Sequence, residues 1–230
     1  MRLINILNEQ LATAKVYYHG THDENMGKNI LNQGIKPGRI TVSNKMGAPV
    51  ENRVYLTPHL DYAIIYCIGA NMLGEDIDYL IKSEGRYGYL FEISKENLNS
   101  DAQPDEDSIG YILQYVFTKE YYGKGVYYGE KINFSNVDLK WLYDLGSRIF
   151  TENQIHNIVH NFDDFKLYKL GKKIVKVMSP KQKQALIDMG THIAYLGVVK
   201  PEKCWKFDKL KNTELKKDGS NFFQLAQRIG

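Results

Sequence analysis

The sequence predicts an α+β fold, because its strand-like and helix-like segments follow one another without regular alternation. The strand-like segments are short and rich in β-branched and aromatic residues, as in 16–18 and 87–93. The segments between them place apolar residues at helical spacing, and several follow a residue that caps helices. The chain has 230 residues, of which 43% are apolar and 12% aromatic, so it can form a substantial core.

The predicted elements follow the chain in order. They are a leader helix or detachable extension over 1–15, a strand over 16–18, a helix over 24–33, a loop over 39–52, a strand over 54–56, a helix that carries Tyr66, a strand over 87–93, a polar loop over 97–108, helices over 109–117, 139–149 and 154–159, a strand over 174–178, a helix over 180–189 and a strand over 192–199. One domain is predicted over 16–208, with a helical insertion over about 107–170, and a basic, mostly exposed tail over 209–230.

Capping and breaking residues set the predicted ends of the first helices. Asp23 is placed to cap the helix over 24–33, and Gly34 is placed to stop it. Thr57 followed by Pro58 has the order that opens a helix, with a hydroxyl cap and then a proline in the first turn. By contrast, the polar, aperiodic stretch over 39–52 is typical of a long functional loop.

Charge, cysteine content and hydropathy exclude several classes of protein. The net charge of +3 neither requires nor excludes a nucleic-acid partner. Cys67 and Cys204 are too few for a disulfide framework or a zinc site, which predicts a reducing compartment. His156 and His160 have a metal-compatible spacing but no nearby third ligand, so no metal is expected. The absence of a long apolar run or secretory pattern predicts a soluble, cytoplasmic protein without a membrane partner.

Three short blocks place polar and aromatic residues where a nucleotide could bind. His19, Gly20 and Thr21 end an apolar strand and offer an imidazole, a bare backbone and a hydroxyl. Tyr55 lies in the next predicted strand, and Tyr66 lies on the helix that follows, off its apolar stripe. A strand followed by a helix can fold two such rings around a planar group. We call Tyr55 and Tyr66 the tyrosine clamp.

This pattern resembles the His-Tyr branch of the ADP-ribosyltransferase superfamily, which includes diphtheria-like toxins and poly(ADP-ribose) polymerases. The similarity covers His-Gly-Thr at 19–21, the Gly- and Pro-containing turn at 30–37, Val-Tyr-Leu-Thr at 54–57, the second tyrosine at Tyr66, and weakly the strand and exit at 194–202. It spans most of 16–208 and implies a split β-sheet core with flanking helices, in a small member of bacterial or phage type.

The resemblance also implies roles for individual residues. His19 would hold a ribose hydroxyl of NAD, and Gly20 would hold the nicotinamide amide, with Thr21 beside them. Tyr55 and Tyr66 would pack against the nicotinamide ring. Among the basic residues that border the loop over 39–52, namely Arg39, Lys45 and Arg53, any could meet the pyrophosphate, and Arg53 is nearest the motif. NAD would serve as co-substrate, with no metal.

The chain departs from the family at the third signature residue, which is usually a Glu near the start of a late strand. The corresponding residues 190–193 are Gly-Thr-His-Ile. Glu106, in the acidic cluster over 105–107, is the favoured substitute as a catalytic acid, and Glu130 is a second candidate. A capped helix start explains the cluster equally well. Alternatively, the third residue is simply not acidic, as in some mono-ADP-ribosylating members.

The resemblance therefore implies a mono-ADP-ribosyltransferase that cleaves NAD and modifies a macromolecular target, either a protein or a nucleic acid. The small size is like that of toxin and phage members, which implies a cytoplasmic site of action in a bacterial host and an antitoxin or a phage or host protein as a further partner. Two alternatives remain open. One is an enzyme like tRNA 2′-phosphotransferase, and the other is a catalytically degenerate module that binds ADP-ribose or nucleic acid.

Overall fold

The structure, a computed structural model, is of the mixed α+β class that the sequence predicts, and the strand pairings whose register it resolves are antiparallel. It describes residues 15–40, 50–69, 77–98, 102–127, 132, 134, 138–160, 163–216 and 219–229. The predicted leader over 1–15 lies outside these residues, apart from Lys15.

The helices and strands of the described residues are numbered separately along the chain. The helices are α1 (Glu24–Gln33), α2 (Leu60–Ile68), α3 (Ile77–Glu84), α4 (Glu106–Tyr122), α5 (Lys140–Ile149), α6 (Glu152–His160), α7 (Asp164–Val177), α8 (Pro180–Asp188) and α9 (Phe222–Leu225). The strands are β1 (Val16–Thr21), β2 (Gly38–Ile40), β3 (Val50–Leu56), β4 (Tyr87–Ser94), β5 (Gln103–Pro104), β6 (Ile193–Tyr195), β7 (Lys203–Asp208) and β8 (Gln227–Ile229). Short 3-10 helices cover Lys95–Asn97 and Lys209–Glu214.

The chain divides into two compact units. One consists of 15–38, the described part of 51–102, and the described part of 195–229, and we call it the sheet unit. The other consists mainly of 103–194, and we call it the helical unit.

The sheet unit is built on a four-stranded antiparallel sheet with the strand order β1-β4-β7-β8. β1 pairs with β4 so that His19 lies opposite Phe91 and Gly20 lies opposite Leu90. Because side chains alternate along a strand, Gly20 and His19 face opposite sides of this sheet. Glu92 and Lys203 form an ion pair at the last paired position of β4 and β7.

Helix α2 lies directly on the backbone of the sheet, and two glycines make this possible. A Cβ on Gly20 would overlap the carbonyl oxygen of Ala63 and lie 2.7 Å from the nitrogen of Cys67. A Cβ on Gly88, in the adjacent strand, would overlap the carbonyl oxygen of Cys67. Any larger residue at either position would hold the helix away from the strands. The same side of the unit holds the apolar cluster of Ala63, Ile64, Cys67, Leu90, Phe207 and Phe222.

Helix α1 packs on the opposite side of the sheet, where a Cβ on Gly27 would overlap the ring of Tyr89. Its predicted ends are confirmed. The Asp23 carboxylate accepts a hydrogen bond from the Met26 N–H at 2.8 Å, and Gly34 ends the helix at a φ of 76°. That φ lies in the left-handed region, which favours glycine.

The predicted start of α2 at Thr57 and Pro58 is wrong. Thr57 exchanges two backbone hydrogen bonds with Tyr18, which keeps it extended, and the helix begins only at Leu60. The Thr57 hydroxyl still accepts a bond from the His59 N–H at 3.0 Å, so its capping tendency appears as a local turn. The predicted loop over 39–52 is also wrong at both described ends, which belong to β2 and β3. Residues 41–49 lie outside the described part.

The helical unit is centred on α4, which packs most extensively against α7 and also against α5 and α6. A Cβ on Gly110 would lie 2.6 Å from the Leu167 carbonyl oxygen, and one on Gly171 would overlap the Glu106 carbonyl oxygen. The α4 and α7 backbones therefore meet at two glycines. The surrounding core contains Ile109, Ile112, Leu113, Val116, Phe117, Leu139, Leu142, Phe150, Ile158, Leu167, Leu170, Ile174, Val175, Met178, Leu186 and Met189.

Two predictions for the later part of the chain are wrong. The predicted strand over 174–178 is the last turn of α7, because the apolar run there is one side of an amphipathic helix. The segment over 209–230 is mostly exposed where it is described, as predicted, but it is wrong as a separate tail, because it adds β8 to the sheet and Lys209 is fully buried. The helical segment extends from Glu106 to Asp188, further than the insertion predicted over about 107–170.

Candidate functional site

The candidate site lies at the outer edge of β1, where the neighbouring chain diverges. The N–H and C=O of Tyr18 bond the C=O and N–H of Thr57, at 2.7 and 3.0 Å, in an isolated bridge. Residues two apart on a strand direct their backbone groups to the same edge, so those of Gly20 also point away from β4. This edge therefore offers a donor and an acceptor on a residue without a side chain.

The His19 ring is hydrogen-bonded to the backbone of Tyr55 in β3. Its Nδ1 lies 3.0 Å from the carbonyl oxygen of Tyr55. Burial lowers the pKa of His19 below its ordinary value, and the bond to Tyr55 opposes that shift only in part. The ring is therefore neutral at pH 7. Since a carbonyl can only accept, Nδ1 carries the proton and Nε2 is left as an acceptor suited to a ligand hydroxyl.

Tyr55 and Arg53 lie near the C-terminal end of β3, just before Thr57 bonds β1. Both are half-buried, whereas Val54 and Leu56 between them are buried, as expected for alternation along a strand. Alternation from Thr57 places Tyr55 on the side of the sheet that carries Gly20 and α2. The Tyr55 hydroxyl oxygen is shielded from solvent. The structure therefore brings Tyr55 to the strand that carries His19 and Gly20.

Tyr66 approaches the same place from α2. Its Cβ would lie 3.0 Å from a Cβ on Gly20, and its side chain is 51% exposed. The buried side of α2 carries Ala63, Ile64 and Cys67, so Tyr66 is off the apolar stripe as the sequence predicts. Tyr66 thus lies beside Gly20 on a helix, whereas Tyr55 belongs to a strand and is linked to β1 through the contact of its carbonyl with His19.

Thr21 ends β1 and is 6% exposed, opposite Tyr89. It lies on the His19 side of the sheet, one residue beyond Gly20. Thr21 therefore neighbours the candidate site along the strand but faces the side on which α1 packs.

This arrangement can bind a flat amide-bearing ring at the β1 edge. Gly20 offers backbone groups for the amide, Tyr66 offers an exposed ring surface, and Tyr55 lies on the same side. Across the strand, the Nε2 of His19 can accept from a hydroxyl.

Glu106 belongs to the helical unit, where it opens α4 and is only 3% exposed. The Asp105 N–H beside it donates a 2.9 Å hydrogen bond to the carbonyl oxygen of His192. The acidic cluster therefore lies next to the residues that precede β6, where the sequence lacks the carboxylate expected by resemblance. Glu130 and Lys45 lie outside the described residues.

His22 connects the helix that carries Tyr66 to α3, and the sequence analysis does not identify it. Its Nδ1 lies 3.3 Å from the Tyr66 carbonyl oxygen, and its Nε2 lies 3.3 Å from the Glu84 carboxylate. The buried Lys209 reaches the same carboxylate at 4.0 Å and donates a 2.7 Å hydrogen bond to the Gly85 carbonyl. These contacts join α2 to α3, but partners so distant in sequence leave no local pattern.

Within the described part of the chain, no group of three or more His, Cys, Asp or Glu side chains is arranged to hold a metal ion. His156 and His160 pack together with a ring-centroid distance of 4.4 Å, and the Tyr122 hydroxyl lies 2.8 Å from Nδ1 of His160. None of the described helices combines the length and apolar character needed to cross a bilayer.

No protein-family model matches this chain, and no curated protein and no solved structure matches it either. The class of protein that can be stated from the structure is therefore an α+β protein with antiparallel sheets. Any more specific function rests on the site residues themselves.

Proposed function

We propose that this protein is a mono-ADP-ribosyltransferase that binds NAD at the β1 edge, cleaves it, and transfers ADP-ribose to a macromolecule. The single observation that carries the proposal is that two neighbouring residues of β1 are contacted from separate elements, Gly20 by Tyr66 and His19 by the carbonyl of Tyr55. These are the residues whose sequence pattern resembles the family, and they come from β1, β3 and α2.

The chemistry that this site would perform is the displacement of nicotinamide. The bond between the nicotinamide nitrogen and the anomeric carbon breaks, its electron pair leaves with nicotinamide, and the ribose becomes cation-like. A nucleophile of the target then bonds the anomeric carbon and loses its proton. Tyr55 and Tyr66 would fix the ring, and His19 would hold the ribose, so that catalysis depends on positioning.

Glu106 is the proposed carboxylate that stabilises the cation-like ribose and accepts the proton of the nucleophile. The support for this role is its neighbourhood. The acidic cluster is hydrogen-bonded to the chain immediately before β6, through the Asp105 N–H and the His192 carbonyl. Glu106→Gln keeps the shape of the side chain and should abolish transfer while leaving NAD binding intact.

NAD binding is tested first with tyrosine variants matched for exposure. Tyr66→Ala removes a ring that is 51% exposed, and Tyr79→Ala removes a helical tyrosine that is 66% exposed in α3. Removing a stacking ring should weaken NAD about tenfold, following the typical worth of an aromatic contact. NAD-induced thermal stabilisation should fall in Tyr66→Ala and in Tyr55→Ala and persist in Tyr79→Ala. Equal stabilisation in all three variants would show that the tyrosine clamp does not bind NAD.

Transfer is tested with NAD labelled in the adenylate part and with an assay for free nicotinamide. The proposal expects label on protein or nucleic acid, and release of nicotinamide that His19→Ala abolishes. NAD-induced stabilisation without release would favour the degenerate binding module instead. Removal of a 2′-phosphate from an RNA junction, with no nicotinamide released from NAD alone, would favour the phosphotransferase.

A further inference from the structure

One segment of the helical unit carries an excess of positive charge. Residues 165–187 contain seven lysines and no acidic residue. The whole chain carries a net charge of +3, so taking away the +7 of this segment leaves −4 for the remainder. The near-neutral total therefore includes one basic segment, which is bounded by Asp164 and Asp188.

Helix α7 presents most of this charge on a single face. Lys166, Lys169, Lys173 and Lys176 are all exposed and are spaced three or four residues apart, and we call them the lysine face. The opposite side of α7 is buried in the core of the helical unit through Leu167, Leu170, Ile174 and Val175. The helix is thus held with its lysines outward.

The spacing of the lysine face suits a chain of phosphates. Residues three or four apart along an α-helix rise by about 4.5–6 Å. Phosphates along one nucleic-acid strand follow one another at a similar step, about 3.4 Å in rise for stacked DNA and more when the strand is extended. Lysine side chains are long enough to absorb the difference. Lys166 already forms an ion pair of 3.2 Å with Asp163, so Lys173 and Lys176 are the lysines chosen for the test.

We propose that the lysine face binds the phosphodiester backbone of a nucleic acid, and that this nucleic acid is the target of transfer. The binding stands by itself, whereas the assignment as target rests on the proposed function. The face would act through point charges, without reading bases, because lysine neutralises phosphates as a point charge rather than through a rigid fork.

Other polyanions fit the surface less well. A membrane-binding helix needs an apolar side free to enter the lipid, but the apolar side of α7 is already buried in its own core. The hot spots of protein interfaces are enriched in aromatic and arginine side chains, and the lysine face contains neither. A repeating phosphate chain is the polyanion that needs only regularly spaced positive charge.

The binding test compares two double variants with the same change of charge. Lys173→Gln with Lys176→Gln alters the lysine face, and Lys211→Gln with Lys216→Gln alters two exposed lysines of the sheet unit. Fluorescence polarisation is measured with a 20-nucleotide single-stranded RNA, its DNA counterpart and the DNA duplex, over a range of salt concentrations. The intact full chain is used throughout, without NAD.

The loss of two phosphate contacts should lower the salt slope of single-strand binding by about 1.4. At 0.1 M salt this corresponds to a loss of affinity of about 25-fold. The control variant should lose less than about threefold. Equal losses in the two variants, or no binding by the wild-type protein, would overturn the proposal. So would tighter binding to polyglutamate, or to vesicles of anionic lipid, than to all three nucleic acids.

The role as target is tested separately with labelled NAD in the presence of each nucleic acid. The proposal expects nuclease-sensitive label that the lysine-face variant reduces. Label on protein alone, with no binding of nucleic acid, would refute this inference and leave the proposed function standing. Binding through the lysine face with no label and no nicotinamide release would instead refute the proposed function.

Discussion

Gly20→Ala tests whether the close contact between α2 and β1 holds the sheet unit together. The added Cβ would overlap the carbonyl oxygen of Ala63 and lie 2.7 Å from the nitrogen of Cys67. Both atoms are helix backbone, and α2 is anchored by the buried side chains of Ala63, Ile64 and Cys67. No change of rotamer relieves the overlap, so the helix must move away from the strand.

Overpacking that moves backbone costs up to about 3 kcal/mol, and we expect Gly20→Ala to reach that value. A loss of this size lowers the ratio of folded to unfolded protein by about 150-fold. With a urea dependence of about 2 kcal/mol per molar, the unfolding midpoint should fall by about 1.5 M. Gly20 has an ordinary strand backbone, because it is absent from the glycines with positive φ in the described chain. The expected loss is therefore steric.

The assay follows the fluorescence of Trp205 during unfolding in urea, in a Trp141→Phe background. The chain has two tryptophans, so Trp205 then reports on the sheet unit alone. Gly219→Ala is the matched control, because Gly219 has a φ of 68° and its Cβ would meet only the end of the Ile64 side chain. Backbone strain there should cost about 1 kcal/mol. A smaller loss in Gly20→Ala than in the control would refute the packing argument.

Two further changes test buried charge and helix capping. Burial lowers the pKa of Lys209 in the folded protein. At a pH between that lowered pKa and the ordinary value, the unfolded chain binds a proton on Lys209 that the folded chain lacks. The free energy of unfolding that this group contributes therefore rises with pH. In Lys209→Met this rise should disappear. The urea midpoint of the wild type minus that of the variant should therefore increase from pH 7 to pH 10.5, and a difference that stays constant or decreases would contradict the lowered pKa. Ser179 and Gln182 form a capping box at the start of α8, so Ser179→Ala should lower the unfolding free energy by about 1 kcal/mol, and circular dichroism during urea unfolding should show a lower midpoint than in Ser179→Thr.

Local patterns in the sequence predict the parts of this fold that local forces decide. Asp23 and Gly34 bound α1 because a side-chain cap and a left-handed glycine act within four residues. The helix start predicted at Thr57 is wrong because the backbone of Thr57 is hydrogen-bonded to Tyr18, a residue far away in the sequence. The run over 174–178 failed as a strand because five apolar-rich residues cannot distinguish a buried strand from one turn of a buried helix.

The candidate site is only partly visible in the sequence. His19, Gly20, Tyr55 and Tyr66 could be selected because their spacing resembles a family pattern. The bond from His19 to the Tyr55 carbonyl, which fixes the tautomer of the ring, requires coordinates. The same holds for Gly20, whose importance comes from the helix backbone that rests on it.

The two glycine contacts between α4 and α7 have a consequence for the geometry of a bound polymer. Gly171 lies against the carbonyl of Glu106 on the buried side of α7, and in the sequence it falls between Lys169 and Lys173. The packing of α7 on the backbone of Glu106 therefore fixes where the lysines lie along a bound strand. A shift of α7 by one residue would move the lysines by about 1.5 Å along the strand. The position of the lysine face relative to α4 thus depends on the absence of two methyl groups, at Gly110 and Gly171.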